Sequence, residues 1–396
     1  MASDGKWRSL AAHRVWDAGV AGSNPAFPTI RTRHPSPRRS ADTLLTMQDF
    51  TVTGTAQKAA WAANVLPEVE EVRPGLWSIP VPIPNNPLRY VLVYGFESDE
   101  GITLVDAGWN TDEAWDALSE GLRIAGGSMS DVTGVMVTHI HPDHYGLAGR
   151  VRDASGAWIG LHPADASLLE ERYVETDDLV DRMTGLLELS GVPAESLPNL
   201  ATASMEIKSL VHMALPDRLV EDGDAIDVPG WDLRAIWTPG HSPGHLCLVA
   251  PEAGLLLSGD HVLPRISPNI SMHSQQFPNP LGDYLESLLK IGAVECAEVL
   301  PAHEYRFRGL KARTDQLIAH HEERLVEIES LLTATPGLSA WGLTIRLTWS
   351  RPFDEIPSFM QRAANGETLA HLVLLEARGR VQRAGDRPAR FTRCGE

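Results

Sequence analysis

The sequence predicts an α/β fold in which short buried strands alternate with helices and potential ligand side chains follow the strand ends. Between residues 72 and 162, short apolar segments are separated by turn-forming Pro, Asn and Gly. An amphipathic helix interrupts these strands, and further strand segments follow from residue 233 onward. Strand, helix and strand followed by a ligand-bearing loop are typical of an α/β domain with its chemistry at the strand ends.

The first predicted strands contain long apolar stretches, as buried strands do. They begin at Leu76, Tyr90 and Ile102. The next helix is predicted to begin after Asn110 or Thr111, either of which can cap it, and to end at Gly126. A short strand beginning at Val135 then leads directly into a group of histidines.

The composition excludes several classes of protein. The chain has 396 residues, of which 43% are hydrophobic and 22% charged, which fits a globular protein with one large and one smaller domain. No apolar run is long enough for a membrane span. The net charge of -18 disfavours nucleic acid as a partner. Three widely spaced cysteines fit a reducing compartment and predict a cytoplasmic protein.

Residues 1–46 differ from the rest of the chain and are predicted to be disordered. They carry a net charge of +4 and no apolar core of the kind a secretory signal needs. The segment Gly22-Ser-Asn-Pro25 is what a common transfer-RNA T-arm sequence encodes, which suggests an upstream extension with Met47 as the true first residue. The catalytic domain is then predicted over residues 47–310.

Three further segments have distinct patterns. Residues 164–215 are acidic and helical in pattern, and form an insertion that caps the site, provides a homodimer surface or is merely peripheral. Leu263–Asp283 is predicted to be a long functional loop whose polar residues line the pocket: His261 just before it, then Arg265, Asn269, His273 and Gln275. After Arg308 an amphipathic helix over Thr314–Leu332 begins a small second domain of residues 311–396.

The most informative stretch is Thr138-His-Ile-His-Pro-Asp-His-Tyr-Gly146. Four potential metal ligands fall within six positions: His139, His141, Asp143 and His144. Imidazole suits zinc, iron, copper or nickel, and a carboxylate adds a harder oxygen ligand. An alternating His-x-His presents both rings on one side of an extended backbone, and a turn is needed for the next two ligands to face a second point. One loop therefore holds parts of two adjacent metal sites.

Three more segments supply further candidates at the ends of predicted strands. Thr238-Pro-Gly-His-Ser-Pro-Gly-His245 offers His241 and His245 beside glycines that permit tight turns. Asp260 directly follows one apolar strand, and His303 follows another. A single histidine at a strand end is usually structural, but this combination predicts a metal centre.

Together, these motifs resemble the metallo-β-lactamase superfamily and, within it, the glyoxalase-II-like hydrolases, over roughly residues 70–310. The resemblance implies a four-layer αββα sandwich with the metals at one sheet edge. It further implies a first metal on His139, His141 and His241, a second on Asp143, His144 and His303, and Asp260 as the bridge between them. Asp106 matches a residue that orients a ligand, and His245 matches a position that is usually structural.

The C-terminal segment from Thr314 to Arg383 resembles the small winged-helix-like domain of some members of this superfamily. One branch with such a domain contains endoribonucleases. True glyoxalase II instead ends in a helical domain that holds glutathione, and the sequence offers no convincing match to it.

The resemblance implies a dinuclear-metal-dependent hydrolase. Two divalent metal ions, with zinc as the default and iron or manganese as alternatives, would hold a bridging hydroxide that attacks a small ester, thioester, lactone or similar electrophile. Asp143 would orient the nucleophile and accept its proton, and Asp260 would hold both metals.

Two alternative functions stay open at this stage. A phosphodiesterase or endoribonuclease is supported by an arginine run near the C-terminus, comprising Arg378, Arg380, Arg383, Arg387, Arg390 and Arg393, although such a run is also typical of a solvated tail. A non-haem iron oxidoreductase is disfavoured, because diiron members carry Glu in place of His141 and the dioxygenases do not need the second site. A non-catalytic scaffold is disfavoured by the intact ligand set.

Overall fold

The computed structural model describes residues 50–203 and 205–395. It contains two seven-stranded β-sheets that pack face to face, with helices on both outer faces. This arrangement confirms the predicted α/β sandwich with a helical C-terminal region. The predicted disordered extension of residues 1–46 lies outside the described residues.

Sheet I is mixed, with an antiparallel half and a parallel half. Its strands pair antiparallel from β2 to β5 and parallel from β5 to β8, because helical connections return the chain to the same edge. In spatial order the strands are β2 (Glu70–Arg73), β3 (Leu76–Pro82), β4 (Tyr90–Ser98), β5 (Gly101–Val105), β6 (Val132–Met136), β7 (Trp158–Leu161) and β8 (Arg218–Leu219).

Sheet II has one parallel pair, β12 with β13, and its other neighbours are antiparallel. In spatial order its strands are β1 (Thr51–Val52), β14 (Phe307–Arg308), β13 (Glu298–Pro301), β12 (Leu255–Gly259), β11 (Leu246–Ala250), β10 (Trp231–Trp237) and β9 (Ala225–Val228). The C-terminal ends of β12 and β13 therefore lie side by side, which brings the residues after them together.

Twelve α-helices lie in the described residues. They are α1 (Thr55–Ala63), α2 (Asp112–Ile124), α3 (Pro142–Tyr145), α4 (Ala148–Ser155), α5 (Pro163–Ala166), α6 (Leu169–Tyr173), α7 (Asp177–Ser190), α8 (Leu197–Thr202), α9 (Pro280–Gly292), α10 (Leu310–Ala334), α11 (Ala340–Thr344) and α12 (Ser358–Ala377). Three short 3-10 helices cover Met129–Asp131, Met205–Leu210 and Phe353–Glu355.

Helix α2 shows how the local sequence fixes an element. The Thr111 side chain accepts a hydrogen bond from Ala114 N at 3.2 Å, as the predicted cap requires. Asp112 and Glu113 in the first turn complement the positive end of the helix dipole. Gly121 allows the helix to pack tightly on sheet I, since a Cβ there would lie 2.2 Å from a methyl carbon of Ile79.

The C-terminal residues share a core with sheet II. Helix α10 packs against α9 and α12, and one buried cluster joins Leu256 and Val299 of sheet II to Leu325 of α10 and Leu372 of α12. Strands β15 (Val381–Ala384) and β16 (Arg390–Arg393) form a separate antiparallel pair. The boundary at residue 310 and the winged-helix-like character of this segment stay predictions.

Two further features concern membrane-spanning helices and the cysteine thiols. Among the described residues, no helix combines the length and the apolarity that crossing a bilayer demands. Cys247, Cys296 and Cys394 are all free thiols. Burial raises the pKa of Cys247 to about 12, so this thiol stays protonated at neutral pH.

Candidate metal centre

The seven predicted ligands converge at the edge where the two sheets are joined by hydrogen bonds. Leu92 N donates to Ala302 O at 2.7 Å, and Leu246 N donates to Thr138 O at 2.8 Å. Each bond links a strand of one sheet to a ligand-bearing loop that follows a strand of the other. The loops after β6 and β13 are therefore each held by a strand of the opposite sheet before any ligand is considered.

The ligand side chains form three overlapping groups at this edge. Within each group the ligand atoms all lie within 4.8 Å of one another. The groups are His139 with His141 and His241, His139 with His144 and Asp260, and Asp143 with His144 and His303. All seven residues selected from the sequence are thus brought together.

Asp260 lies between the two predicted metal sites and turns one oxygen toward each. Its Oδ2 atom is 3.5 Å from His241 Nε2. Its Oδ1 atom is 3.2 Å from His303 Nε2 and 3.6 Å from His144 Nε2. The two oxygens of one carboxylate therefore face two different histidine groups.

The loop after β6 makes its turn through a short helix. His141 has an extended backbone, and Pro142 stands at the first position of α3, where its missing N–H costs nothing. The turn brings Asp143 Oδ2 to 3.6 Å from His144 Nε2 and 3.4 Å from His303 Nε2. His139 and His141 stay on the other side, with His139 Nε2 3.0 Å from His141 Nδ1.

Hydrogen bonds outside the cluster fix the rings of three histidines. The Nδ1 atom of His241 donates to Asn269 O at 3.0 Å, and that of His303 donates to Tyr90 O at 2.8 Å. The Nδ1 atom of His144 donates to Asp106 Oδ2 at 2.8 Å. Each bond leaves Nε2 directed into the cluster, which is how metal-binding histidines are oriented.

Asp106 has the orienting position that the sequence predicted. Besides His144 Nδ1, its carboxylate accepts Thr138 N at 2.8 Å and Thr138 Oγ1 at 3.0 Å. Its backbone φ is +65°, a conformation that Asp and Asn adopt more readily than other residues with a Cβ. Asp106 therefore connects the end of β5 to the ligand loop after β6.

His245 supports the cluster without facing it. Its Nε2 atom accepts a hydrogen bond from Asp260 N at 3.1 Å, so the neutral ring carries its proton on Nδ1 and donates to Thr238 Oγ1 at 2.8 Å. Gly259 permits this contact, since a Cβ there would lie 2.6 Å from His245 Nε2. His245 thus holds the backbone of Asp260, in agreement with its predicted structural role.

Asp165 is an important residue that the sequence analysis missed. It is fully buried, and its Oδ2 atom accepts Ile140 N at 2.9 Å and Ser242 Oγ at 2.8 Å. Its Oδ1 atom accepts Gly244 N at 2.7 Å. One carboxylate on α5 therefore ties the loop of His139 to the loop of His241. The motif around it, His-Pro-Ala-Asp, resembles an ordinary helix start.

The two halves of the cluster differ in electrostatics. Burial lowers the pKa of His139 and His141 well below the ordinary value, and it lowers that of His241 as well, so these rings are neutral imidazoles. Burial also acts on His144, but the carboxylates of Asp106 and Asp143 outweigh it and raise its pKa to about 9.

The cluster fits a cation on grounds of charge and of unsatisfied atoms. Around His303 burial is outweighed by Asp260 and Asp143, which raise its pKa well above the ordinary value. The carboxylates thus favour positive charge between themselves and the rings, which a proton or a divalent cation can supply. Four buried ligand atoms have no hydrogen-bond partner among the described residues: His144 Nε2, His241 Nε2, His303 Nε2 and Asp260 Oδ1. Nitrogen and carboxylate donors of this kind suit zinc, iron or manganese.

The residues of the predicted pocket loop differ in whether they contact the loops that carry the ligands. Asn269 holds His241 through its carbonyl, and Gln276 Nε2 donates to Gly240 O at 2.9 Å. Arg265 Nε instead donates to Glu304 Oε1 at 2.9 Å, next to His303. His261 is buried, with its ring 4.9 Å from that of Tyr284. His261 therefore packs in the core behind the site.

The arginine run near the C-terminus is largely paired. Arg378 and Arg380 contact Glu322, Arg380 and Arg393 contact Glu329, and Arg387 Nη1 lies 3.0 Å from Glu188 Oε2. These acidic partners neutralise much of the positive charge with which the arginine run would bind an RNA backbone.

Known proteins resemble the chain over most of this architecture. A sequence profile of the Metallo-beta-lactamase superfamily matches residues 86–303. Probable metallo-hydrolase YqjP of Bacillus subtilis is 28% identical over 297 residues, which cover 72% of this chain and 88% of that protein. Lactamase-like protein adaB of Aspergillus niger is 29% identical over 218 residues, covering 52% of this chain and 66% of that protein.

Solved structures agree with these relatives. The metallo-beta-lactamase family protein TTHA1429 from Thermus thermophilus is 32% identical with a TM-score of 0.70, covering 82% of this chain and 100% of that one. A beta-lactamase domain protein from Burkholderia ambifaria is 28% identical with a TM-score of 0.69, covering 87% and 98%. Together with the profile match, this likeness shows that the chain belongs to the metallo-β-lactamase superfamily.

Proposed function

We propose that this protein is a dinuclear metal-dependent hydrolase of small esters, thioesters or lactones. The observation that carries the proposal is the position of Asp260, whose two oxygens face two separate histidine groups. The name of the Bacillus relative, a probable metallo-hydrolase, points to the same class of enzyme.

The residues divide into two sets of metal ligands. One cation would be held by His139, His141 and His241, the other by Asp143, His144 and His303, and both by Asp260. Bound divalent cations supply Lewis acidity, which makes water nucleophilic near neutral pH and stabilises negative charge on a carbonyl oxygen.

Asp143 is the best candidate for moving the proton of the attacking water. Burial alone would raise its pKa, but His144 and His303 outweigh burial and lower it, so the side chain is a carboxylate at neutral pH. A carboxylate beside the reacting water can orient it and accept its proton. The raised pKa of Cys247 argues against a thiolate nucleophile in its place.

Metal analysis combined with a substrate screen tests this function. We expect about two equivalents of divalent metal per chain, since the ligand atoms form two sets. Exhaustive chelation should abolish hydrolysis of the ester, thioester or lactone that is turned over, and zinc, manganese or ferrous ion should restore it. Activity that survives complete metal removal would contradict the proposal.

The salt dependence of turnover on RNA separates the phosphodiesterase alternative from the proposed function. A nuclease that neutralises several phosphates loses turnover on RNA steeply as salt rises. The ion pairs of the C-terminal arginines favour the small-molecule reading, for which we expect no RNA cleavage at low salt. A cytoplasmic location and a homodimer stay predictions that cell fractionation and light scattering would check.

A further inference from the structure

A cluster of hydrogen-bond donors lies beside the metal centre and takes no part in holding it. Helix α6 contributes Arg172, and the loop before α9 contributes His273, Ser274 and Gln275. Arg172 Nη1 donates to Gln275 Oε1 at 3.2 Å. Arg172 also lies over the ring of Tyr173, and it acts electrostatically on the carboxylate of Asp165, whose oxygens accept from Ile140 N, Ser242 Oγ and Gly244 N.

The neighbours of these residues hold the two loops that carry the first set of metal ligands. Tyr173 OH donates to Ile140 O at 2.6 Å, between His139 and His141. Gln276 Nε2 donates to Gly240 O at 2.9 Å, next to His241. The bond from Arg172 to Gln275 therefore spans the gap between the two loops.

The groups in this cluster are donors. Gln275 is 7% exposed, and its Nε2 atom has no hydrogen-bond partner among the described residues. The Ser274 hydroxyl is likewise buried without a partner there. Gln275 N donates to His273 Nδ1 at 3.3 Å, which leaves the Nε2 of a neutral His273 ring as an N–H donor. Buried donors without acceptors are costly, so the cluster is built to receive an acceptor.

Positive charge accumulates at the same place. Arg362 of α12 donates to Leu200 O and Ala201 O, each at 3.4 Å. Burial and the nearby guanidinium of Arg172 lower the pKa of Arg362 to about 10. Burial, Arg172 and Arg362 lower the pKa of His273 to about 3, so this ring is neutral. Arg172 and Arg362 are therefore close enough to repel each other, and an anion bound beside them would relieve this repulsion.

We propose that Arg172 and Gln275 form a subsite for an anionic oxygen group of the substrate, a carboxylate or a phosphate, next to the bond that is hydrolysed. This inference rests on the proposed function and specifies its substrate class. A planar guanidinium beside a carboxamide N–H matches the in-plane lone pairs of a carboxylate and equally two oxygens of a phosphate. The subsite would orient the substrate by its charged end and leave the carbonyl to the metal centre.

Three nitrophenyl esters with one leaving group test the subsite. The acids are butyrate, which is neutral at its far end, glutarate, which ends in a carboxylate, and 4-phosphonobutyrate, which ends in a phosphonate. We expect the metal-loaded enzyme to prefer at least one anionic ester over the butyrate in kcat/KM by about tenfold or more. The anionic ester that is preferred identifies the group.

Substitutions then assign the preference to this cluster. Arg172→Gln should reduce the ratio of anionic to neutral kcat/KM by about tenfold. Gln275→Glu keeps the shape but adds a carboxylate that competes for Arg172, and it tests the idea again if Arg172→Gln fails to fold. Arg218→Gln, on β8 away from the site, removes the same charge and should keep the wild-type ratio. An unchanged ratio in folded Arg172→Gln, or no preference in the wild type, overturns the subsite.

Calorimetric titration with glutarate separates this inference from the proposed function. If no ester is hydrolysed but glutarate binds about tenfold more weakly to Arg172→Gln than to the wild type, the function fails and the subsite stands. If esters are hydrolysed and glutarate binds both proteins equally, the subsite fails and the function stands. Metal content is measured for every variant, so that an effect of metal loss is not attributed to the loss of the arginine.

Discussion

Two groups of buried histidines in this protein have opposite chemistry. At the sheet edge, His144 and His303 are fully buried beside carboxylates, and their pKa values are raised. In the C-terminal helices, His321 and His371 are buried to the same degree, and their pKa values are lowered, that of His371 to about 3. Burial alone therefore does not make a metal site.

The difference lies in what each ring nitrogen meets. In the C-terminal pair, His321 Nδ1 lies 3.1 Å from His371 Nε2, and His371 Nδ1 donates to Glu367 O at 2.8 Å. These rings bind each other and the backbone, and they belong to no potential metal group among the described residues. For His144 and His303 at the sheet edge, an outer acceptor holds Nδ1, and Nε2 faces a carboxylate. Ring nitrogens that face negative charge distinguish this candidate metal centre from a structural pair.

Removing the bridging carboxylate should have the largest effect. Asp260→Ala takes away the two oxygens that face both histidine groups, so we expect activity to fall by about a thousandfold or more and at least one metal equivalent to be lost. Elemental analysis and kcat/KM on the same preparation measure both losses. Asp116→Ala, at an exposed position on α2, is the matched control. Full activity in Asp260→Ala would remove the bridge from the mechanism.

A smaller effect is expected from changing an outer hydrogen bond alone. Asp106→Asn suits the backbone φ of +65°, but its amide N–H₂ would face His144 Nδ1 if the oxygen stays on Thr138. His144 would then carry its proton on Nε2, where it cannot bind a cation. We expect metal affinity or activity to fall by about ten- to a hundredfold.

Competition with a chelator and kcat/KM measure this loss. Asp99→Asn, in an exposed turn, controls for the change in charge. Wild-type metal affinity and kcat/KM in folded Asp106→Asn would show that His144 does not depend on this carboxylate for its orientation.

The candidate ligands could be selected from the sequence because a metal constrains residue type. Only a few side chains bind zinc or iron, so His139 to His144 form a dense motif, and Asp260 and His303 stand out after apolar strands. The strands were recognisable for a similar reason, since β3, β4 and β5 are almost continuously apolar and buried.

The supporting contacts could not be read in the same way. His241 and His303 are held by the carbonyls of Asn269 and Tyr90, and a backbone carbonyl leaves no signal in residue type. Asp165 ties two ligand loops together across 77 positions of sequence, as far as Ser242. Such a link depends on tertiary packing, and its local motif indicates only the start of a helix.

The pH dependence of stability tests the C-terminal pair of His321 and His371, and its expected effect is the smallest. His371 stays neutral in the folded protein because its pKa is about 3, whereas an unfolded histidine has a pKa of about 6.5. Unfolding therefore takes up a proton below pH 6.5, and the stability present above that pH is lost progressively down to about pH 3. Between pH 8 and pH 5 one such ring accounts for about 2 kcal/mol of lost unfolding free energy.

His371→Gln cannot take up this proton. The variant should be less stable than the wild type at pH 8, because a buried hydrogen bond is replaced, yet it should lose about 2 kcal/mol less between pH 8 and pH 5. Denaturant unfolding at both pH values measures the difference, with a chelator present so that metal release does not contribute. His212→Gln, at a partly exposed position, controls for the change of residue type. An equal acid loss in His371→Gln and wild type would mean that the pair titrates like surface histidines, and the contrast with the metal centre would not hold.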